Sequence, residues 1–71
     1  MLGRVIREVR EAAGLTQEQL ADAAGLHRTY VSLLERDRRS PTVTVLFRIA
    51  VAVRVPASAI LARAEALGIH S

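Results

Sequence analysis

The chain of 71 residues has no cysteine. A disulfide framework and a thiolate metal site are thereby excluded, and the chain suits a reducing compartment. Histidine occurs only at His27 and His70, far apart in sequence and without a carboxylate or thiol at metal-ligand spacing. No metal and no cofactor is expected. No glycine elbow or oxyanion-hole motif accompanies His27 and its nearby serine, so a hydrolytic pair, and an enzyme of any kind, is not expected either. No apolar run reaches the roughly 18 residues of a membrane span, and no charged-then-apolar leader opens the chain. Repeats, low-complexity tracts and linkers are also missing. These absences point to a single soluble, cytoplasmic domain over residues 1–71, with no membrane partner and no evident small-molecule ligand. A chain this short buries only about 60% of its unfolded surface, so its core is small and its stability marginal unless something is added.

Lysine is absent too: all ten basic residues are arginine, against seven acidic ones, for a formal net charge of +3. A basic balance favours polyanions, because phosphate contacts release condensed counterions. Net charge alone is equally compatible with mere solubility, and placement is the better guide. Between Arg28 and Thr42 the chain carries Arg28, Arg36, Arg38 and Arg39 against Glu35 and Asp37.

The stretch TQEQLADAAGLHRTYVSLLE, Thr16 to Glu35, organises the rest. Thr16 is a good N-cap, and Gln19 three residues on completes a T-x-x-Q capping box. Leu20 and Ala24 share one helical face at i, i+4, with Ala21 and Ala23 beside them. Gly25 ends this helix, since the residue after a helix commonly takes a positive φ that glycine adopts without a Cβ penalty. A second helix starts at His27, with Leu26 and Val31 placed for a hydrophobic staple. It buries Val31 and Leu34 and leaves Arg28, Thr29, Ser32 and Leu33 on its other sides. Two short helices about a glycine-containing turn, the second with a small, polar and basic outer face, form a helix-turn-helix pattern.

Around this motif three further helices are expected. The first spans Leu2 to Ala13, with Leu2, Val5, Ile6, Val9 and Ala12/Ala13 at helical spacing and Arg4, Arg7, Glu8 and Glu11 mostly opposite. Gly14 terminates it and Leu15 drops into the core. RDRRSP reads as a loop, after which Ser40 or Thr42 caps a fourth helix, Val43 to about Val53, with Pro41 in its first turn. Val45, Leu46, Ile49, Ala50 and Val53 suffice for a core face there. Val43, Phe47 and Val51 remain on another face, and a helix apolar on every side should be covered on every side. A subunit interface through Val43, Phe47, Val51 and Val55 is the expectation, against a wide contact with the fifth helix as the plainer reading. Pro56 opens that fifth helix as a first-turn proline, Ala59, Ile60, Ala62, Ala64 and Leu67 give it a small-residue face, and Gly68 stops it. The fold class is all-α, five helices and no strands.

The chain resembles the Cro and lambda-repressor type of phage and bacterial regulators (the XRE family). LGRVIREVREAAGLTQEQLA is similar to that family's first two helices, AGLHRTYVSLLERDRRSP to its recognition helix and following loop, and TVLFRIAVAVRVPASAIL to its last two helices. The resemblance implies a five-helix DNA-binding domain with the motif at about residues 16–35 and dimerisation through about residues 42–67. It implies an ion pair between Arg10 and Glu35 that ties the first helix to the third. The family usually has glycine where Asp37 stands, which puts an acidic group near DNA, and often glycine where Arg54 stands, so the turn before the fifth helix is expected to differ.

The resemblance also implies that the helix from His27 enters the major groove. Arg28 is then the best base reader, its fork matching guanine O6 and N7. Thr29 meets a base edge or a thymine methyl; Ser32 and Leu33 lie a turn further in; His27 starts the helix facing DNA. Phosphate contacts fall to Thr16, Gln17, Tyr30, Arg36, Arg38, Arg39 and Ser40. His70 belongs to the tail. The expected function is a sequence-specific, double-stranded-DNA-binding transcriptional regulator, a repressor or restriction–modification controller acting as a homodimer on an inverted repeat. Two alternatives stand beside it: an antitoxin-like subunit that binds DNA and a partner protein, and an interaction adaptor without DNA binding.

Overall fold

A computed structural model describes residues 2–68, and among them it has five helices and no strand: α1 (Leu2–Ala12), α2 (Gln17–Ala24), α3 (Arg28–Glu35), α4 (Val43–Val53) and α5 (Ala57–Ala66). His70 lies outside the described residues. Each helix contributes to one core. Val5, Ile6 and Val9 of α1 meet Leu20, Ala21 and Ala24 of α2, Val31 and Leu34 of α3, Leu46, Ile49, Ala50 and Val53 of α4, and Ile60 and Ala64 of α5. Leu15, Leu26 and Tyr30 pack partly buried against it. α2 sits on α3 and α4, and α1 spans the back of α3 and α5.

Local signals decide most of the helix ends. Thr16 accepts from the Gln19 amide at 3.1 Å while the Gln19 side chain accepts from the Thr16 amide at 2.9 Å, so the capping box is complete. Gly25 takes φ 68°, and the Leu26 amide reaches back to the Ala21 carbonyl at 2.8 Å, closing α2. Leu26 and the fully buried Val31 occupy the expected staple positions about His27, the N-cap residue of α3. Thr42, not Ser40, caps α4, accepting from the Val45 amide at 3.1 Å.

Several expectations are corrected. α1 stops at Ala12, and both Ala12 and Ala13 are exposed, because Gly14 at φ 75° turns the chain so that Leu15 rather than Ala13 reaches the core. Ala23 is exposed, since the face of α2 that meets α4 is set by Leu20, Ala21 and Ala24. Pro41 precedes the Thr42 cap and so lies outside the first turn of α4. Pro56 is the N-cap of α5 rather than a first-turn residue, its φ of −64° combined with an extended ψ of 143°. Ala62 of α5 is exposed, because the contact with α1 runs through Ile60 and Ala64. Arg54 keeps the left-handed geometry that glycine would supply, at φ 62°. The turn between α4 and α5, which brings the two helices to 104°, was expected to differ and instead keeps the backbone form that glycine would give it.

Gly3 was not singled out by its residue type, yet the packing turns on it. It is buried, and a Cβ there would run into the Leu34 carbonyl and lie 2.7 Å from that of Glu35. The amino end of α1 thus rests directly on the carboxyl end of α3. A glycine within an amphipathic helix, on the register of Ile6, is the sequence signal for such an approach.

Candidate nucleic-acid interface

α3 docks through Val31 and Leu34, and this fixes which residues it turns outward. Arg28 and Thr29 are exposed; Ser32, Leu33 and Tyr30 are half-buried. Arg28, Thr29 and Ser32 line one shallow depression together with Gln17 from the start of α2. An adjoining depression is lined by Arg10, Thr16, Gln17, Glu18, Gln19 and Arg28. The amino ends of α2 and α3 therefore share one face. His27, exposed at the head of α3, makes no side-chain cap, and the first turn of α3 carries no acidic residue. The positive end of its dipole thus meets no acidic side chain within that turn.

Glu35 at the far end of α3 holds this face in place. Arg10 donates from Nε to Glu35 Oε2 at 2.6 Å and from Nη2 to Oε1 at 3.1 Å, a two-pronged pair. Arg10 Nη1 also donates to the Leu15 carbonyl at 2.8 Å. The hydrogen bond to Glu35 raises the Arg10 guanidinium above its ordinary value against the opposing effect of burial. Gln17 joins the network, its Nε2 donating to Glu35 Oε1 at 3.1 Å. Sequence alone suggests only a phosphate contact for Gln17; the link to Glu35 depends on the packing of α2 against α3. The amide orients Gln17 along the seam between α2 and α3.

Arg36, Asp37, Arg38, Arg39 and Ser40 are all exposed in the loop after α3. Asp37 takes φ 56°, the Asp37 amide donates to the Leu34 carbonyl at 3.1 Å, and the Arg38 amide donates to that of Leu33 at 2.9 Å. This closes α3 as glycine would. The Asp37 carboxylate meanwhile accepts from the Gly3 amide at 2.9 Å, at the amino end of α1.

The arginines fall into two groups. Arg4 and Arg7 pair with Glu8 and Glu11 along α1, Arg63 pairs with Glu8 across to α5, and Arg10 pairs with Glu35. Arg28, Arg36, Arg38 and Arg39, and also Arg48 of α4 and Arg54 after it, form no ion pair with a described acidic residue. Positive charge is balanced along α1, and four of the six arginines without such a partner lie in α3 or the loop after it. Among the described residues no group of His, Cys, Asp and Glu gathers as a metal site, and no single helix is long and apolar enough to cross a membrane.

A helix-turn-helix family model matches residues 6–60. The chain belongs to that family, in its Cro and lambda-repressor type. This helix-turn-helix protein is a DNA-binding transcriptional regulator. It is 38% identical over 63 residues to the control protein C.SmaI of Serratia marcescens, covering 89% of this chain and 75% of that one. It is 40% identical over 60 residues to the immunity repressor protein of Bacillus phage phi105, covering 84% of this chain but 42% of the repressor. It thus spans most of the first relative and less than half of the second. The crystal structure of the restriction-modification controller protein C.AhdI from Aeromonas hydrophila superposes with a TM-score of 0.81 at 36% identity, over 83% of this chain and 89% of that one.

A second surface lies on α4. Val43, Phe47 and Val51 are 70%, 57% and 78% exposed. Leu61 of α5, which the sequence reading missed, joins them at 47%. Val55 is placed differently from the expectation: it is half-buried against the core and lines the groove beside Phe47 and Leu61 without standing out from it. The 104° bend between α4 and α5 points Leu61 back toward Phe47, and no periodicity within one helix carries that information.

Proposed function

We propose that the chain binds double-stranded DNA sequence-specifically as a homodimer, in the cytoplasm, and regulates transcription from an inverted-repeat operator. The observation that supports this reading is that four of the six arginines without a described acidic partner lie in α3 or the loop after it, while the arginines of α1 are paired. α3 enters the major groove by its amino end. Arg28 reads guanine, Thr29 and Ser32 meet base edges, Leu33 excludes water or meets a thymine methyl, and His27 lies at the groove's entrance. Thr16, Gln17, Tyr30, Arg36, Arg38, Arg39 and Ser40 touch the backbone and fix the register.

Two subunits meet through Val43, Phe47, Val51 and Leu61, a second copy covering the apolar surface that one copy leaves open. Their recognition helices then sit in successive major grooves, about 34 Å apart. The C.SmaI and C.AhdI resemblances favour a controller of a restriction–modification system over other small regulators.

Selection of duplexes from a random DNA pool at near-physiological salt tests this. The expected outcome is an enriched inverted repeat with guanine at a fixed place in each half-site. Retention without enrichment, lost on modest addition of salt, means phosphate binding only and overturns the specific reading. Purification with a second small protein seated on α4 favours the antitoxin-like alternative.

A further inference from the structure

We infer that Asp37 is a positioning residue for DNA binding, its carboxylate tying the loop that carries Arg36, Arg38 and Arg39 to the amino end of α1. The inference rests on the reading of those arginines as phosphate contacts.

Two of the ties that Asp37 makes to described residues are separate in kind. Its backbone, at φ 56°, ends α3 and directs the Arg38 amide onto the Leu33 carbonyl. Glycine would do this with no steric penalty. Its side chain does something glycine cannot: it accepts from the Gly3 amide at 2.9 Å. Gly3 is a fixed anchor, since the Leu34 and Glu35 carbonyls leave no room for even a Cβ beside it. The loop is thereby held at α1 as well as at α3. The flanking arginines are exposed and form no ion pair with a described acid, so the backbone is what sets their places. Each side chain gains less from a phosphate when it must first be ordered.

Charge alone argues the opposite way. A carboxylate among arginines that contact phosphate opposes binding, so removing it should tighten the complex. Turned onto the positive end of α1, the same carboxylate is partly compensated. The two accounts separate with two neutral variants. Asp37→Asn keeps the acceptor oxygen and tolerates left-handed backbone, whereas Asp37→Gly keeps the backbone and loses the acceptor.

The probe is a random-sequence duplex titrated by fluorescence anisotropy at several low salt concentrations, which needs no knowledge of the operator. Asp37→Asn is expected to bind at least as tightly as the parent and to keep the parent's Gly3 amide resonance. Asp37→Gly is expected to bind about threefold to tenfold more weakly, with the salt slope reduced by about 1 and a displaced Gly3 resonance. Equal binding by the two variants overturns the inference and leaves charge as the only effect of Asp37. Should Asp37→Gly fail to fold, Asp37→Ala against Asp37→Asn gives the same contrast. A parent protein that does not retain the duplex at all overturns the DNA reading itself, a result distinct from equal variants.

Discussion

The Arg10 guanidinium and the Glu35 carboxylate form a two-pronged pair at 2.6 and 3.1 Å with side chains only 11% and 3% exposed. The pair joins the outer helix α1 to the far end of α3, and Gln17 and the Leu15 carbonyl complete its hydrogen bonding. An exposed pair contributes at most about 1 kcal/mol. A buried pair behaves differently, because removing one partner strands a charge in a place that water scarcely reaches.

Glu35→Leu alone should therefore cost about 3 kcal/mol of unfolding free energy, leaving Arg10 without its acceptor. The double variant Arg10→Met with Glu35→Leu should recover most of that loss. Urea unfolding of the two single variants and the double variant measures the coupling. If the losses simply add, the pair does not act as a unit.

Gly3→Ala should destabilise the fold by about 1–3 kcal/mol, from displacement of α1 off the α3 carbonyls. Helix propensity alone argues for a gain of up to about 1 kcal/mol, since alanine is the better helix former. The sign of the shift in thermal midpoint decides between them, and the close approach to Leu34 and Glu35 makes a lower midpoint the expected result.

Phe47→Lys places a charge on an exposed apolar surface, so the subunit should still fold. Sedimentation is expected to show a dimer for the parent and a monomer for the variant, together with weaker operator binding. A variant that remains a dimer would falsify the assignment of α4 as the interface.

Arg28→Ala and Arg39→Ala should fail in different ways. Arg28→Ala should lose about 1–3 kcal/mol of discrimination at one base position of a selected operator. Arg39→Ala should weaken all duplexes evenly and lower the salt slope by about 1. Binding of the selected duplex and of single-base variants, each over a range of salt, distinguishes a base reader from a backbone clamp.

The order of helices and most of their ends could be read from the chain, because capping boxes, left-handed glycines and apolar periodicity act within a few residues. Thr16 with Gln19, and Gly25, behave as their spacing implies, and Leu26 and Val31 both turn to the core. Where two local candidates competed, as Ser40 and Thr42 did for α4, spacing could not choose between them. The outer residues of α3 were legible for the same reason, since burial of Val31 and Leu34 leaves only one face for Arg28 and Thr29.

By itself, then, the sequence determined five helices, the helix-turn-helix and the identity of its exposed side chains, all set by neighbours along the chain. Tertiary structure decided what depends on residues far apart in number. It put the Asp37 carboxylate on the Gly3 amide, turned Gln17 toward Glu35, and brought Leu61 beside Phe47 across the bend between α4 and α5. It also sorted ten arginines of one type into paired and unpaired groups. A side chain's charge is written in the sequence, but whether an opposite charge stands within reach is a distance between helices, and packing of the core sets that distance.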